Sequence, residues 1–142
     1  TAPAPIQQGA VDLTGAGRIL VVEDADAVRN FVVTALEDCG YEVTTAADAE
    51  EALGLLAGDK GFDLVVSDVM MPDIDGPTMI AKARSEHGLS AKVLFMSAYA
   101  ETAIRDQIDS LDAVAYIQKP FTLKGLAAKV KETMKAGRAE AA

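Results

Sequence analysis

Apolar residues in this chain alternate between two patterns. Short runs with apolar or β-branched content recur at 18–22, 41–45, 62–66, 92–96 and 113–117 and are read as strands. The continuous apolar run Ile19 to Val22 is typical of a strand covered on both faces. Between them, apolar residues return at helical spacing. Val28, Phe31, Val32, Ala35, Leu36 and Cys39 form one stripe, and Ala49, Ala52, Leu53 and Leu56 a second. Ile104, Ile108 and Leu111 give a weaker stripe, and Leu123, Leu126, Ala127, Val130 and Met134 a strong final one.

The punctuation agrees with this division. Gly40 and Gly58 are read as helix stops, and Asp48-x-x-Glu51 as a capping box with Asp48 at the N-cap. Gly76-Pro77 opens the third helix, since proline is tolerated in a first turn. The result is five strand–helix units in strict alternation. That order predicts an α/β fold, a doubly wound (βα)5 domain with a five-stranded parallel sheet, helices on both faces and right-handed crossovers. Residues 1–17, with two prolines and three glycines and no sustained period, read as a flexible linker. The domain proper is expected over 18–135, with a small, charged, frayed tail at 136–142.

Composition narrows the function. A length of 142 residues suggests one domain, and half the residues are hydrophobic, as in a globular protein. The net charge of −9 argues against nucleic-acid binding. The single cysteine, Cys39, excludes an internal disulfide and sits on an apolar helix face as a packed thiol. No apolar run approaches the roughly 20 residues needed to cross a bilayer. No signal-peptide pattern opens the chain. These features lead us to expect a cytoplasmic segment without membrane contact.

A parallel sheet brings the C-terminal ends of its strands to one edge, where open α/β sheets bind ligands. This chain puts Glu23-Asp24 after the first strand, Asp68 after the third, Ser97 after the fourth and Lys119 after the fifth. Alone, each has a bland reading as a loop, turn or surface residue. Together, three carboxylates repel unless a cation joins them. A hard, partly hydrated oxygen cluster favours Mg²⁺. A lysine and a hydroxyl opposite it suit the oxygens of a phosphoryl group.

These residues, with Ser67-Asp68-Val69-Met70-Met71-Pro72-Asp73-Ile74-Asp75-Gly76, Ser97-Ala98 and Tyr116-x-x-Lys119-Pro120, resemble the response-regulator receiver family. The resemblance covers about 18–135 and implies strand order 2-1-3-4-5. It implies that Asp68 is the phosphoacceptor and that Glu23, Asp24, Asp68 and the Met70 backbone carbonyl hold Mg²⁺. It further implies that Lys119 contacts the phosphoryl group, that the Lys119-Pro120 bond is cis, that Ser97 and Tyr116 form a switch pair, and that Met70 and Tyr99 flank the path of water. Glu23 stands where many members carry Asp, which changes the reach of that ligand.

Within the family, Val-Val-Glu-Asp-Ala-Asp-Ala-Val-Arg and Met-Ser-Ala-Tyr-Ala are similar to the C-terminal receiver of CckA-type hybrid histidine kinases. The implied partners are a histidine kinase or a histidine phosphotransfer protein. The isolated segment is expected to be monomeric, and its parent chain to be anchored at the inner membrane. The implied chemistry is the domain's catalysis of its own phosphorylation and dephosphorylation. A free-standing single-domain regulator and a phosphorylation-independent docking module are the alternatives. A phosphatase using Asp68 as nucleophile needs a second Asp two residues on, where Met70 stands. His87, the only histidine, is read as a surface residue.

Overall fold

The computed structural model describes residues 14–59, 61–72, 74–98, 111 and 114–141. Five strands form one parallel sheet: β1 (Arg18–Val22), β2 (Glu42–Ala46), β3 (Leu64–Asp68), β4 (Lys92–Ser97) and β5 (Val114–Gln118), in the order β2-β1-β3-β4-β5. The helices are α1 (Asp26–Asp38), α2 (Ala49–Gly58), α3 (Gly76–His87) and α4 (Leu123–Ala141). The stripe expected around Ile104 and Ile108 lies outside the described residues. Helical backbone continues to Ala141, past the boundary expected at Lys135.

Strand alternation splits the core into two layers. Leu20, Val22, Val65, Val93 and Phe95 point to one face and pack with Ala49, Ala52, Leu56, Met79, Ile80 and Ala83 of α2 and α3. Ile19, Val21, Leu64, Val66, Leu94 and Met96 point to the other and pack with Val32, Ala35 and Leu36 of α1 and Leu126, Val130 and Met134 of α4. Continuous apolar runs are therefore required in β1, β3 and β4, whose two faces are both covered.

Some boundaries move. Phe62 was expected to start the third strand. Instead it lies ahead of the strand and packs in the same core layer as Leu20, Leu56 and Val65, with the Arg18 guanidinium 4.6 Å above its ring. β3 begins at Leu64 and ends on Asp68 itself. Gly58 is the last helical residue of α2 rather than its stop, and the extended residue that follows is Asp59. Asp48 does cap α2, accepting from Glu51 N–H at 2.8 Å, while the Glu51 carboxylate accepts from Ala47 N–H at 2.9 Å. Ahead of β1, the Gly15 N–H donates to Cys39 O at 2.9 Å and the Glu42 N–H to Gly17 O at 2.9 Å. These bonds tie the last residues before the domain to the end of α1 and to the start of β2.

Arg18 also makes paired hydrogen bonds to Asp59 at 3.0 and 2.6 Å. That bond, with the Gly61 N–H, lowers the Asp59 carboxyl from 3.8 to about 2. A depressed folded-state value stabilises above the unfolded value and is lost as pH falls through the folded one. Wild type should therefore exceed Asp59→Asn in urea midpoint at pH 5, with the gap closing between pH ~4 and ~2. Equal midpoints at pH 5 would show that the pair contributes nothing. The site is solvent-exposed, so the gap is expected to be small and salt-sensitive.

Candidate functional site

The sheet's hydrogen-bond ladder runs one residue beyond the strands at their C-terminal edge. Glu23 N–H donates to Ala46 O at 3.1 Å, Val69 N–H to Met96 O at 2.9 Å and Lys119 N–H to Ser97 O at 2.7 Å. These bonds fix the backbone from which the polar side chains leave. Glu23, Asp24 and Asp68 each present a carboxylate oxygen within 4.8 Å of the others. Glu23 is only 1% exposed and Asp68 7%, whereas Asp24 faces solvent. Lys119 reaches in from the end of β5, its Nζ 3.0 Å from Glu23 Oε1 and 3.3 Å from Asp68 Oδ2.

Burial and charge compete here. Burial raises the Glu23 carboxyl above its usual range, and neither the Ala25 N–H nor the Lys119 ammonium offsets that fully. Burial acts to lower Lys119, but its hydrogen bond to Glu23 and the charge of Asp68 outweigh burial and raise it. Three carboxylates against one ammonium leave a formal charge of −2. Octahedral Mg²⁺ holds oxygens about 2.9 to 4.2 Å apart. The all-oxygen donor set fits that ion after small side-chain rotations, which the exposed Asp24 can supply.

The loop after β3 is shaped by a close approach. Gly76 N–H donates to Val69 O at 2.8 Å, and a Cβ on Gly76 would lie 2.3 Å from the Asp68 carbonyl oxygen. The Asp75 carboxylate then caps α3 by accepting from Thr78 N–H at 2.8 Å. Met70 sits on this loop, 51% exposed, with its N–H 3.4 Å from Asp68 Oδ1.

Ser97 is fully buried at the end of β4, level with Gln118, and Tyr116 is half-buried on β5 opposite Phe95. The Lys119-Pro120 bond is cis, as expected. Tyr99 lies outside the described residues. Beside the acidic cluster, Ala27, Val28, Phe31, Lys119, Pro120 and Phe121 line an open apolar groove of about 280 Å³. Phe31 is 40% exposed there and tilts against Phe121, with ring centres 6.2 Å apart.

The sequence reading passed over Arg29. It sits in the first turn of α1, where a cation opposes the helix dipole, and that misplacement was the available signal. Gly76 was read as opening a helix, but its contact with the Asp68 backbone was not anticipated.

The family model described as "Response regulator receiver domain" matches residues 19–131. The sensor kinase CckA of Brucella abortus (strain 2308) is 44% identical over 126 residues, which is 88% of this chain but 13% of that kinase. Among solved structures, the receiver domain from the hybrid histidine kinase CckA is 44% identical with a TM-score of 0.70, covering 83% of this chain and 99% of that one. The response regulator TrrA from Thermotoga maritima, in complex with Mg(2+)-BeF, is 33% identical with a TM-score of 0.70, covering 82% of this chain and 98% of that one.

Proposed function

Because the chain belongs to the response-regulator receiver family, we propose that it accepts a phosphoryl group from a phosphohistidine onto Asp68 in a two-component phosphorelay. The observation that carries this reading is the convergence of Glu23, Asp24, Asp68 and Lys119 at one sheet edge. In the transfer, an Asp68 carboxylate oxygen attacks phosphorus in line, forming a P–O bond. The P–N bond breaks, and its electron pair returns to the imidazole of the donor. Asp68 is held for this by the Met70 N–H on one oxygen and by Lys119 on the other. The Lys119 ammonium then faces the developing charge on the phosphoryl oxygens.

Glu23, Asp24 and Asp68, with the Met70 carbonyl, are the groups that would hold Mg²⁺. Such an ion, when bound, supplies positive charge at the phosphoryl oxygens. The Mg(2+)-BeF complex named for TrrA supports this assignment. We assign the surface response to Ser97 and Tyr116, on neighbouring strands just below the site.

The partner is a histidine kinase or a histidine phosphotransfer protein, and the identity to CckA supports a receiver module within a hybrid kinase. The apolar groove beside Lys119 supplies contact area for a partner placed next to Asp68. Among the described residues no helix is long and apolar enough to cross a membrane; we propose a cytoplasmic module that acts as a monomer.

Purified protein incubated with acetyl phosphate or phosphoramidate should gain one phosphoryl group with Mg²⁺ and none with EDTA. Tyr116 ring resonances should shift in the labelled sample. A sample that takes no label with Mg²⁺ present would instead be a phosphorylation-independent docking module.

Lys119→Met separates the two duties of the lysine. Without its ammonium, buried Glu23 loses a partner and the three carboxylates repel. The metal-free variant should lose about 1–3 kcal/mol of stability. Added Mg²⁺ should raise its melting temperature more than it raises that of wild type. Equal Mg²⁺-induced shifts in the two proteins would show that Lys119 does not neutralise this cluster.

A further inference from the structure

The turn between β1 and α1 carries two of the three clustered carboxylates, yet α1 lacks an ordinary cap: Ala25 at its N-cap offers no side-chain acceptor. The turn is closed instead by Glu23 and Arg29. Glu23 Oε2 accepts from the Ala25 N–H at 3.1 Å, and Ala25 O accepts from the Arg29 N–H at 2.9 Å. The Arg29 Nη1 donates to the Glu23 carbonyl oxygen at 2.8 Å, while its Nη2 pairs with Asp26. The Arg29 side chain is only 19% exposed, so this fork is held rather than waving in solvent.

We propose that Arg29 is a positioning residue for the cation ligands. Its guanidinium fixes the plane of the Glu23–Asp24 peptide and so sets the directions in which both carboxylates leave the turn. This rests on the reading of Glu23, Asp24 and Asp68 as the Mg²⁺ site. A planar fork is suited to the task, because its rigid donors hold two acceptors at a fixed mutual angle, whereas the donors of an ammonium rotate.

The proposal has a sign that separates it from simple electrostatics. A cation this close to the cluster repels Mg²⁺, so deleting its charge alone should tighten binding. Loss of ligand orientation weakens it, typically by 10- to 100-fold for groups that orient metal ligands. A residue serving the fold alone would lower the melting temperature without moving the affinity of the protein that remains folded.

The experiment is calorimetric titration of MgCl2 into wild type, Arg29→Met, Arg29→Lys and the charge control Lys82→Met, all well below their melting temperatures. Lys82 lies on α3, paired with Glu86 at 3.3 Å. Arg29→Met should bind about 10-fold more weakly than wild type. Arg29→Lys should also bind more weakly, and Lys82→Met should match wild type. Arg29→Lys keeps the charge and the aliphatic stem, so it carries the test if Arg29→Met does not fold. Arg29→Met binding as tightly as wild type or tighter, or Arg29→Lys matching wild type, overturns the proposal. Wild type failing to bind Mg²⁺ overturns the underlying site assignment, a different and separately visible result.

Discussion

Asp68→Asn should reduce phosphoryl labelling to background while the protein stays folded. The Asp68 carboxylate is the nucleophile that ends β3, whereas Glu23 and Asp24 follow β1 in its turn. An amide oxygen is a far poorer nucleophile than a carboxylate. Asparagine is nearly isosteric, and its oxygen can still accept from the Met70 N–H, which lies 3.4 Å from Asp68 Oδ1. It also removes one of three mutually repelling charges, so the metal-free variant should melt no lower than wild type. Labelling with a phosphohistidine donor and a thermal melt on the same preparation check both halves. A folded variant that still labels to full stoichiometry would assign the chemistry elsewhere.

Gly76→Ala should be the most damaging single methyl addition near the site. The added carbon would fall 2.3 Å from the Asp68 carbonyl oxygen, and 3.1 Å from both the Phe95 ring and Ser67 Oγ. The nearest neighbour is strand backbone bonded into the sheet, so it cannot yield as a side-chain tip would. Overpacking of this kind costs about 3 kcal/mol, or on the order of 10 °C in melting temperature for a domain of this size. The push lands on the residue that carries Asp68, so Mg²⁺ affinity should fall as well. Gly54→Ala is the counter-case, because nothing lies within 4 Å of its added carbon on α2. There the methyl group should stabilise by about 0.5–1 kcal/mol through reduced chain entropy. Equal effects of the two substitutions, measured by urea denaturation, would contradict the close approach at Gly76.

The contrast between these glycines marks what the sequence could convey. Ile19 to Val22 and Val93 to Met96 are legible because both faces of their strands are buried, leaving no polar position to confuse the period. Glu23, Asp24, Asp68 and Lys119 are legible because strand ends in a parallel sheet must share an edge. Phe62 misled because an aromatic residue abutting an apolar run looks the same whether it enters the strand or packs beneath Arg18. The linker glycines Gly15 and Gly17 carry no sign of the bonds that join them to Cys39 and Glu42, since those depend on where α1 ends in space. Arg29 escaped for a related reason. Its acceptor is a backbone carbonyl, and every residue has one.

The central claim is that a phosphoryl group is carried on Asp68. Borohydride reduction of the labelled protein, followed by tandem mass spectrometry, reads this directly, because only an acyl phosphate is reduced at the carboxyl carbon. The account predicts a reduced residue at position 68, formed with Mg²⁺ and absent with EDTA. Reduction at another carboxylate with position 68 intact, or a label that resists reduction altogether, would contradict it.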